Sequence, residues 1–358
     1  MLRFICASIV IIFHYQHFLF TGEVNSARAI ALRSHLPLYA ALRIIYDYGL
    51  WAVQIFWTIS GFIFFRQYGK LIKDRKIGFA KFGLYRFSRL YPLHFLTLVL
   101  VSLLQIAYFH SHRQFFIYYD TERGFLAQLL FASSWLRRQG FSFNGPVWSV
   151  SVEIVIYCLF FVVARLIGTR PLMAIVVSAF FLALSQYDTF TPVNPWVWQC
   201  GAFFFAGGAT YWVVQRATFY RLLILATLSA TACICAITLP MGTLVVLPIS
   251  ITVLLFFATI DHNSLAKLAL LGNATYSSYL CHFPIQLSLV LLFDSLSVPR
   301  TVFLSLPFFI CYLAIIFAVS FASFHYFEHP AQTFIRNVGG KLLDRVSPKT
   351  GAAATLAP

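Results

Sequence analysis

The chain has 358 residues, 60% hydrophobic and only 10% charged, with a mean hydropathy of +0.80 and a formal net charge of +15. Soluble domains carry about 25% charged residues, so this composition excludes a chain that covers itself with a water-facing surface. It predicts an all-α, polytopic membrane protein, with many of its 40 Phe, 18 Tyr and 7 Trp facing lipid or anchoring spans at the interfaces.

A crossing helix needs about 20 mostly apolar residues. In chain order the candidate spans are 4–20, 49–65, 91–109, 147–164, 172–187, 198–214, 222–239, 243–260, 274–293 and 303–323. Ten crossings put both termini on one side. With that side inward, the inner segments hold 18 Lys and Arg and the outer ones 8, and every Lys is inner. The bias predicts cytoplasmic termini and accounts for most of the net charge without a nucleic-acid partner.

The first span carries Arg3, His14 and His17 on one helical face, because eleven residues complete nearly whole turns. His14 lies about 15 Å beyond Arg3 at 1.5 Å per residue, near the bilayer midplane. The second span ends in "WTISGFIFF", with Ser60 before Gly61. The inner segment that follows, 66–90, is strongly basic and reads as a loop. In its end, "RFSRLYP", Arg86 and Arg89 sit at i and i+3 just before Pro92. Paired guanidiniums can clamp a phosphate bidentately, whereas Lys70, Lys73, Arg75, Lys76 and Lys81 read as positive-inside anchoring.

His94, shallow in the third span, reads as a side chain hydrogen-bonded to a neighbouring helix, as does His17. The apolar stretch 125–135 is too short to cross and reads as re-entrant or interfacial. The fourth span, "GPVWSVSVEIVIY", carries Trp148, Ser149, Glu153 and Tyr157. Of the 11 acids, only Glu153 lies well inside a span, where a charge costs on the order of 3 kcal/mol even on lenient scales. Intramembrane ionisable groups are functional by default. Glu153 and His14 at similar depth suit proton transfer, in a transfer reaction or as a relay in a transporter. His282 reaches comparable depth in the ninth span.

The seven cysteines read as small buried hydrophobes, and Gly207-Gly208 as close helix packing. No metal set, P-loop, Rossmann glycine pattern or internal repeat is present. Residues 1–335 read as one transmembrane domain, and 336–358 as a short disordered cytoplasmic tail.

Six stretches together resemble one family, the acyltransferase-3 family of integral membrane acyltransferases. They are "RFICASIVIIFHY", "IFWTISGFIFF", "RFSRLYPLHF", "VWSVSVEIVIY", "YSSYLCHFPI" and "FEHPAQ", in the family's order. The resemblance implies O-acylation, most often acetylation, of a surface or lipid-linked polysaccharide by cytoplasmic acyl-CoA in a bacterial inner membrane. It implies catalytic roles for His14 and Glu153. It places Arg3, Arg86, Arg89, Ser60, Trp148, Ser149, Tyr157 and His282 with acyl-CoA or the acceptor, and calls for no metal. The expected partners are acetyl-CoA, the glycan and membrane lipids. A proton-coupled transporter or flippase of a lipid-linked sugar is the rival reading.

Overall fold

The structure is a computed structural model that describes residues 1–20, 32–137, 139–187, 189–216, 220–238, 242–259 and 272–346. With no water in a bilayer core, each span must satisfy its backbone internally, and all ten predicted apolar segments form helices. They are α1 (Leu2–His14, continued by a 3₁₀ turn, Tyr15–Leu19), α2 (Tyr39–Tyr48) and α3 (Trp51–Phe64, continued by a π-helical turn to Lys73). There follow α4 (Phe79–His112), the short α5 (Glu122–Leu129), α6 (Val147–Leu166), α7 (Pro171–Tyr187) and α8 (Pro195–Arg216). The rest are α9 (Tyr220–Thr238), α10 (Thr243–Thr259), α11 (Thr275–Ser295), α12 (Leu306–Ser323) and α13 (His329–Val346), the last two joined by a π-helical turn.

Among the described residues five helices are long and apolar enough to cross a membrane, or six if the pair Tyr39–Tyr48 and Trp51–Lys73, bent by 62°, is one broken span. The chain is thus an all-α membrane protein. Leu103, Leu172, Phe180 and Ile310 are exposed on its flanks, as lipid-facing residues should be. Cys6, Cys200 and Cys281 are buried, but Cys158 and Cys311 are exposed on this apolar surface and are not core residues.

The tightest contact is between α3 and α8. A Cβ on Gly61 would strike the Phe204 carbonyl, and one on Gly207 the Thr58 carbonyl. The Gly207-Gly208 pair therefore does what its sequence suggests, bringing two backbones together.

Two expectations at the basic end fail. The presumed loop 66–90 is helical except at 74–78, because α3 continues to Lys73 and α4 starts at Phe79 and runs through Pro92, so Arg86 and Arg89 lie inside a 34-residue helix. Proline interrupts a membrane helix less than a soluble one, since neighbours compensate the freed carbonyl. The tail expected to be disordered is helical to Val346. Gln332, Arg336 and Gly339 follow each other at helical spacing along the α4-facing side, where Arg336 meets Tyr85 and Ser88 and Gly339 abuts Leu84. The segment "TGAAATLAP" lies outside the described residues.

The stretch 125–135 does not cross. α5 is capped by Thr121, whose Oγ1 accepts from the Gly124 N–H at 3.0 Å. The chain then returns to α6, where the Trp135 indole donates to the Ser151 carbonyl at 2.9 Å.

Candidate active site: two polar centres in one bundle

The first centre forms at the basic end. Arg3 on α1 has Arg89, Tyr157, Glu153 and Arg86 as its charged or ionisable neighbours. Arg86 donates to the Tyr68 hydroxyl at 2.5 Å and lies over the rings of Phe64, 5.0 Å, and Tyr68, 4.9 Å, from the centroids. Tyr157 stacks on the same Phe64 at 4.3 Å. Its hydroxyl and that of Ser60 hydrogen-bond Glu153, whose nearest charges are Arg3 and Arg86. Glu153 Oε1 has no hydrogen-bond partner among the described residues.

A second carboxylate closes the centre. Ser277 on α11 donates to Glu328 at 2.5 Å, and Arg89 is the nearest charge to that acid. Both π-helical turns serve this centre, one carrying Tyr68 and the other Glu328. Extra-residue turns of this kind re-aim side chains and are frequent at functional sites. Arg3, Arg86, Arg89 and Glu153 are each partly buried, with Glu153 Oε1 and Arg86 Nε enclosed.

The second centre lies at the far end of α1, about 16 Å from Arg3 along the helix axis. His14 Nδ1 and His282 Nε2 are 3.0 Å apart, and the two rings stack at 5.1 Å. His17 is 4.8 Å from His14, ring to ring, with the Gln286 side chain as a polar neighbour. Gln286 donates in turn to the His14 carbonyl at 3.1 Å. Among the described residues no three His, Cys, Asp or Glu side chains are disposed to hold a metal.

His282 is held by local chemistry. Pro284 lacks the N–H that would bond the Leu280 carbonyl in a regular helix. The Asn144 side chain supplies it instead, donating to that oxygen at 3.2 Å. One turn before His282, the Tyr279 hydroxyl donates to the Pro146 carbonyl at 2.9 Å and lies 2.8 Å from Ser149 Oγ. The start of α6 is thereby stitched to α11 beside the imidazoles.

Beside this pair is a cavity of about 290 Å³ lined by His14, Gln16, His17, Arg33, Tyr118 and Trp148, among others. Trp148 is fixed by edge-on contact with Trp57 at 5.7 Å and by Trp196 at 4.8 Å.

The expected sites thus fall into two groups. Arg3, Ser60, Arg86, Arg89, Glu153 and Tyr157 meet at the basic end, while His14, Trp148, Ser149 and His282 meet at the other. The proposed pairing of Glu153 with His14 is not what the fold builds. The imidazole has a histidine partner, and the carboxylate sits among arginines. Matched depth fixes height in the membrane but not direction around the helix axis, so it left this choice open. Sequence reasoning missed Tyr68, Tyr279, Gln286 and Glu328. For Glu328 the signal was there, as a carboxylate in "FEHPAQ" at the end of the last span. His94 is the structural histidine expected, 2.8 Å from the Gln128 carbonyl.

One buried titratable group, Asp120, lies outside the spans, two residues from the cavity-lining Tyr118. Asp120 is 8% exposed, accepts from the Phe143 N–H at 2.5 Å, and has no partner for its other oxygen among the described residues. Burial raises its pKa to about 7, against the lowering effect of that hydrogen bond. A raised folded-state pKa gives stability that is complete below about pH 4 and is lost as pH rises to about 7, at roughly 1.4 kcal/mol per pH unit. Hydrogen exchange of residues 116–121 and 141–145, corrected for intrinsic rate, should therefore quicken over that window and level off above it. Asp120→Asn should flatten the profile, and a profile unchanged by the substitution would remove Asp120 from the account.

A family model described as an acyltransferase domain matches residues 1–325, which contain five of the six motif stretches and stop just before "FEHPAQ". Neither the curated proteins nor the solved structures contain a match to this chain.

Proposed function

The chain belongs to the acyltransferase-3 family, which makes it a membrane acyltransferase, and from that premise we propose that it carries an acyl group across the bilayer. The donor is cytoplasmic acyl-CoA, with acetyl as the acyl group, and the acceptor is a hydroxyl of a surface or lipid-linked polysaccharide. The membrane is a bacterial inner membrane, crossed ten times with both termini in the cytoplasm. The observation that carries this reading is α1 itself, which joins an arginine centre at one end to an imidazole pair beside a cavity at the other.

In this reading the CoA phosphates meet Arg86, Arg89 and Arg3, because guanidiniums pair with phosphate oxygens by charge-assisted hydrogen bonds. The pantetheine arm extends along α1 towards His14. The acceptor sugar enters the cavity from outside, where Trp148 and Tyr118 offer aromatic walls.

His14 Nε2 takes the proton of the acceptor hydroxyl as its oxygen attacks the thioester carbonyl. The C–O bond forms, the C–S bond breaks, and CoA leaves as the thiolate, which recovers the proton. For Nε2 to be the basic nitrogen, Nδ1 must carry the hydrogen and donate it to His282 Nε2. His282 thus holds the tautomer and shares the charge that His14 gains. Glu153 is given a different task, holding Arg3 and Arg86 in place around the donor.

The test is a sided one. In proteoliposomes, labelled acetyl-CoA is supplied at the Arg3 face and an acceptor glycan at the cavity face. Ester label on the glycan and free CoA on the opposite side are expected. Glycan movement without CoA release would replace the acyltransfer reading with transport.

A further inference from the structure

We propose that Arg336 on α13 is the outermost guanidinium of the donor site and binds the ribose 3′-phosphate of acyl-CoA. The inference rests on the acyl-CoA reading above and extends it to a helix that reading did not use.

α12 alone, 18 residues or about 27 Å, is enough to span the hydrocarbon layer. The continuous helical segment that includes it runs to Arg345, and its polar second half, α13, projects beyond the layer at the basic end. There it lies along the first half of α4, with Gly339 against Leu84. Glu328, bonded to Ser277, pins its start. Arg336 follows eight residues later, two turns and about 12 Å along the axis.

The Arg336 side chain is placed, not free. Its Nε donates to Ser88 Oγ at 3.1 Å, and its guanidinium carbon lies 5.3 Å from the Tyr85 ring centroid. Ser88 uses its own hydrogen on the Tyr85 carbonyl, so its oxygen is left to accept. With the Gln332 amide oxygen turned towards it, that oxygen accepts from Nη1 at 3.2 Å.

What surrounds this group is cationic. Its charged neighbours are Arg86 and Arg89, together with the ring hydroxyls of Tyr68 and Tyr85, and no carboxylate is among them. Arg3 has Arg86 and Arg89 as neighbours too, but not Arg336. The four cations therefore form a row, with Arg3 innermost beside Glu153, Arg86 and Arg89 between, and Arg336 at the outer end. Against four guanidiniums the centre sets, among the described residues, Glu153 and Glu328. Like charges held this close call for an anion to bridge them.

The order of the row matches the order of the ligand. Along CoA the thioester arm comes first, then the diphosphate, then the ribose with its 3′-phosphate. If the arm points along α1 to His14, the diphosphate falls to Arg86 and Arg89 and the 3′-phosphate to Arg336. A phospholipid headgroup offers the same phosphate chemistry at this depth, so the test must separate the two.

The experiment uses the full chain in nanodiscs, titrated with acetyl-CoA and with its 3′-dephospho analogue. Wild type should bind the analogue about tenfold more weakly, the loss expected for one partly exposed charge-assisted contact. Arg336→Gln should bind acetyl-CoA about tenfold more weakly and the analogue as wild type does. Unaltered affinity for the analogue also shows that the variant is folded. Arg86→Gln should weaken both ligands. If Arg336→Gln weakens both ligands alike, or neither, the assignment is wrong. If it leaves acetyl-CoA affinity intact but loses co-purifying anionic lipid, Arg336 serves a headgroup instead. If wild type binds neither ligand while remaining folded, the donor reading itself fails.

Discussion

His14→Ala should abolish acyl transfer to the glycan while leaving acyl-CoA affinity within about twofold of wild type. The two effects separate because the imidazole lies about 16 Å along α1 from the guanidiniums that meet the phosphates. Loss of a general base costs about 10²- to 10⁴-fold, and a buried alanine offers no substitute donor or acceptor. His282→Ala should cost less, since His14 remains, but its signature is distinctive. The pH at which transfer is half-maximal should move, because His282 holds the His14 tautomer across a 3.0 Å contact. Single-turnover transfer from labelled acetyl-CoA, on variants with wild-type elution and CoA affinity, reads both effects. Near-normal transfer by His14→Ala would end the base assignment.

Glu153→Gln should act on folding and donor binding before it acts on chemistry. Its carboxylate faces Arg3 and Arg86 with Ser60 and Tyr157 as hydrogen-bond donors. Glutamine keeps the size and removes the charge, leaving clustered guanidiniums without their counter-ion. Breaking a buried pair in this way costs about 3–5 kcal/mol, reduced here because the group is partly accessible. The expected result is a lower melting temperature in the apo state, largely restored by acyl-CoA, since a bound polyanion replaces the missing charge. Arg3→Gln added to Glu153→Gln should recover part of the loss. If Glu153 is instead the proton-transfer partner of His14, the pattern reverses, with wild-type stability and a 10²- to 10⁴-fold fall in turnover.

Much of this protein was legible one segment at a time. A hydrophobic fraction of 60% admits few outcomes, and each of the ten apolar runs is helical, because in lipid the backbone has no other way to pair its polar groups. Arg3 and His14 could be placed at opposite ends of one helix from its rise alone. The Gly207-Gly208 pair marked a backbone contact from its small residues. The motif stretches identified the family before any coordinate did.

Other features depended on the tertiary structure. The partner of His14 is 268 residues away in the chain. Periodicity gives the face of each helix but not which helix that face meets. Depth estimates therefore put His14, Glu153 and His282 at similar heights, and only packing divided them into an imidazole pair and an arginine–carboxylate centre. The same limit explains the terminal helix. Residues 336–346 are short of the apolar run that marks a span, and their helix is supported by docking on α4, a gain no local pattern records. The sequence by itself determined which segments are apolar helices and which residue types they carry. The tertiary structure decided which of those residues meet, because contact across a bundle depends on rotation about each helix axis, and that is set by neighbours, not by the segment.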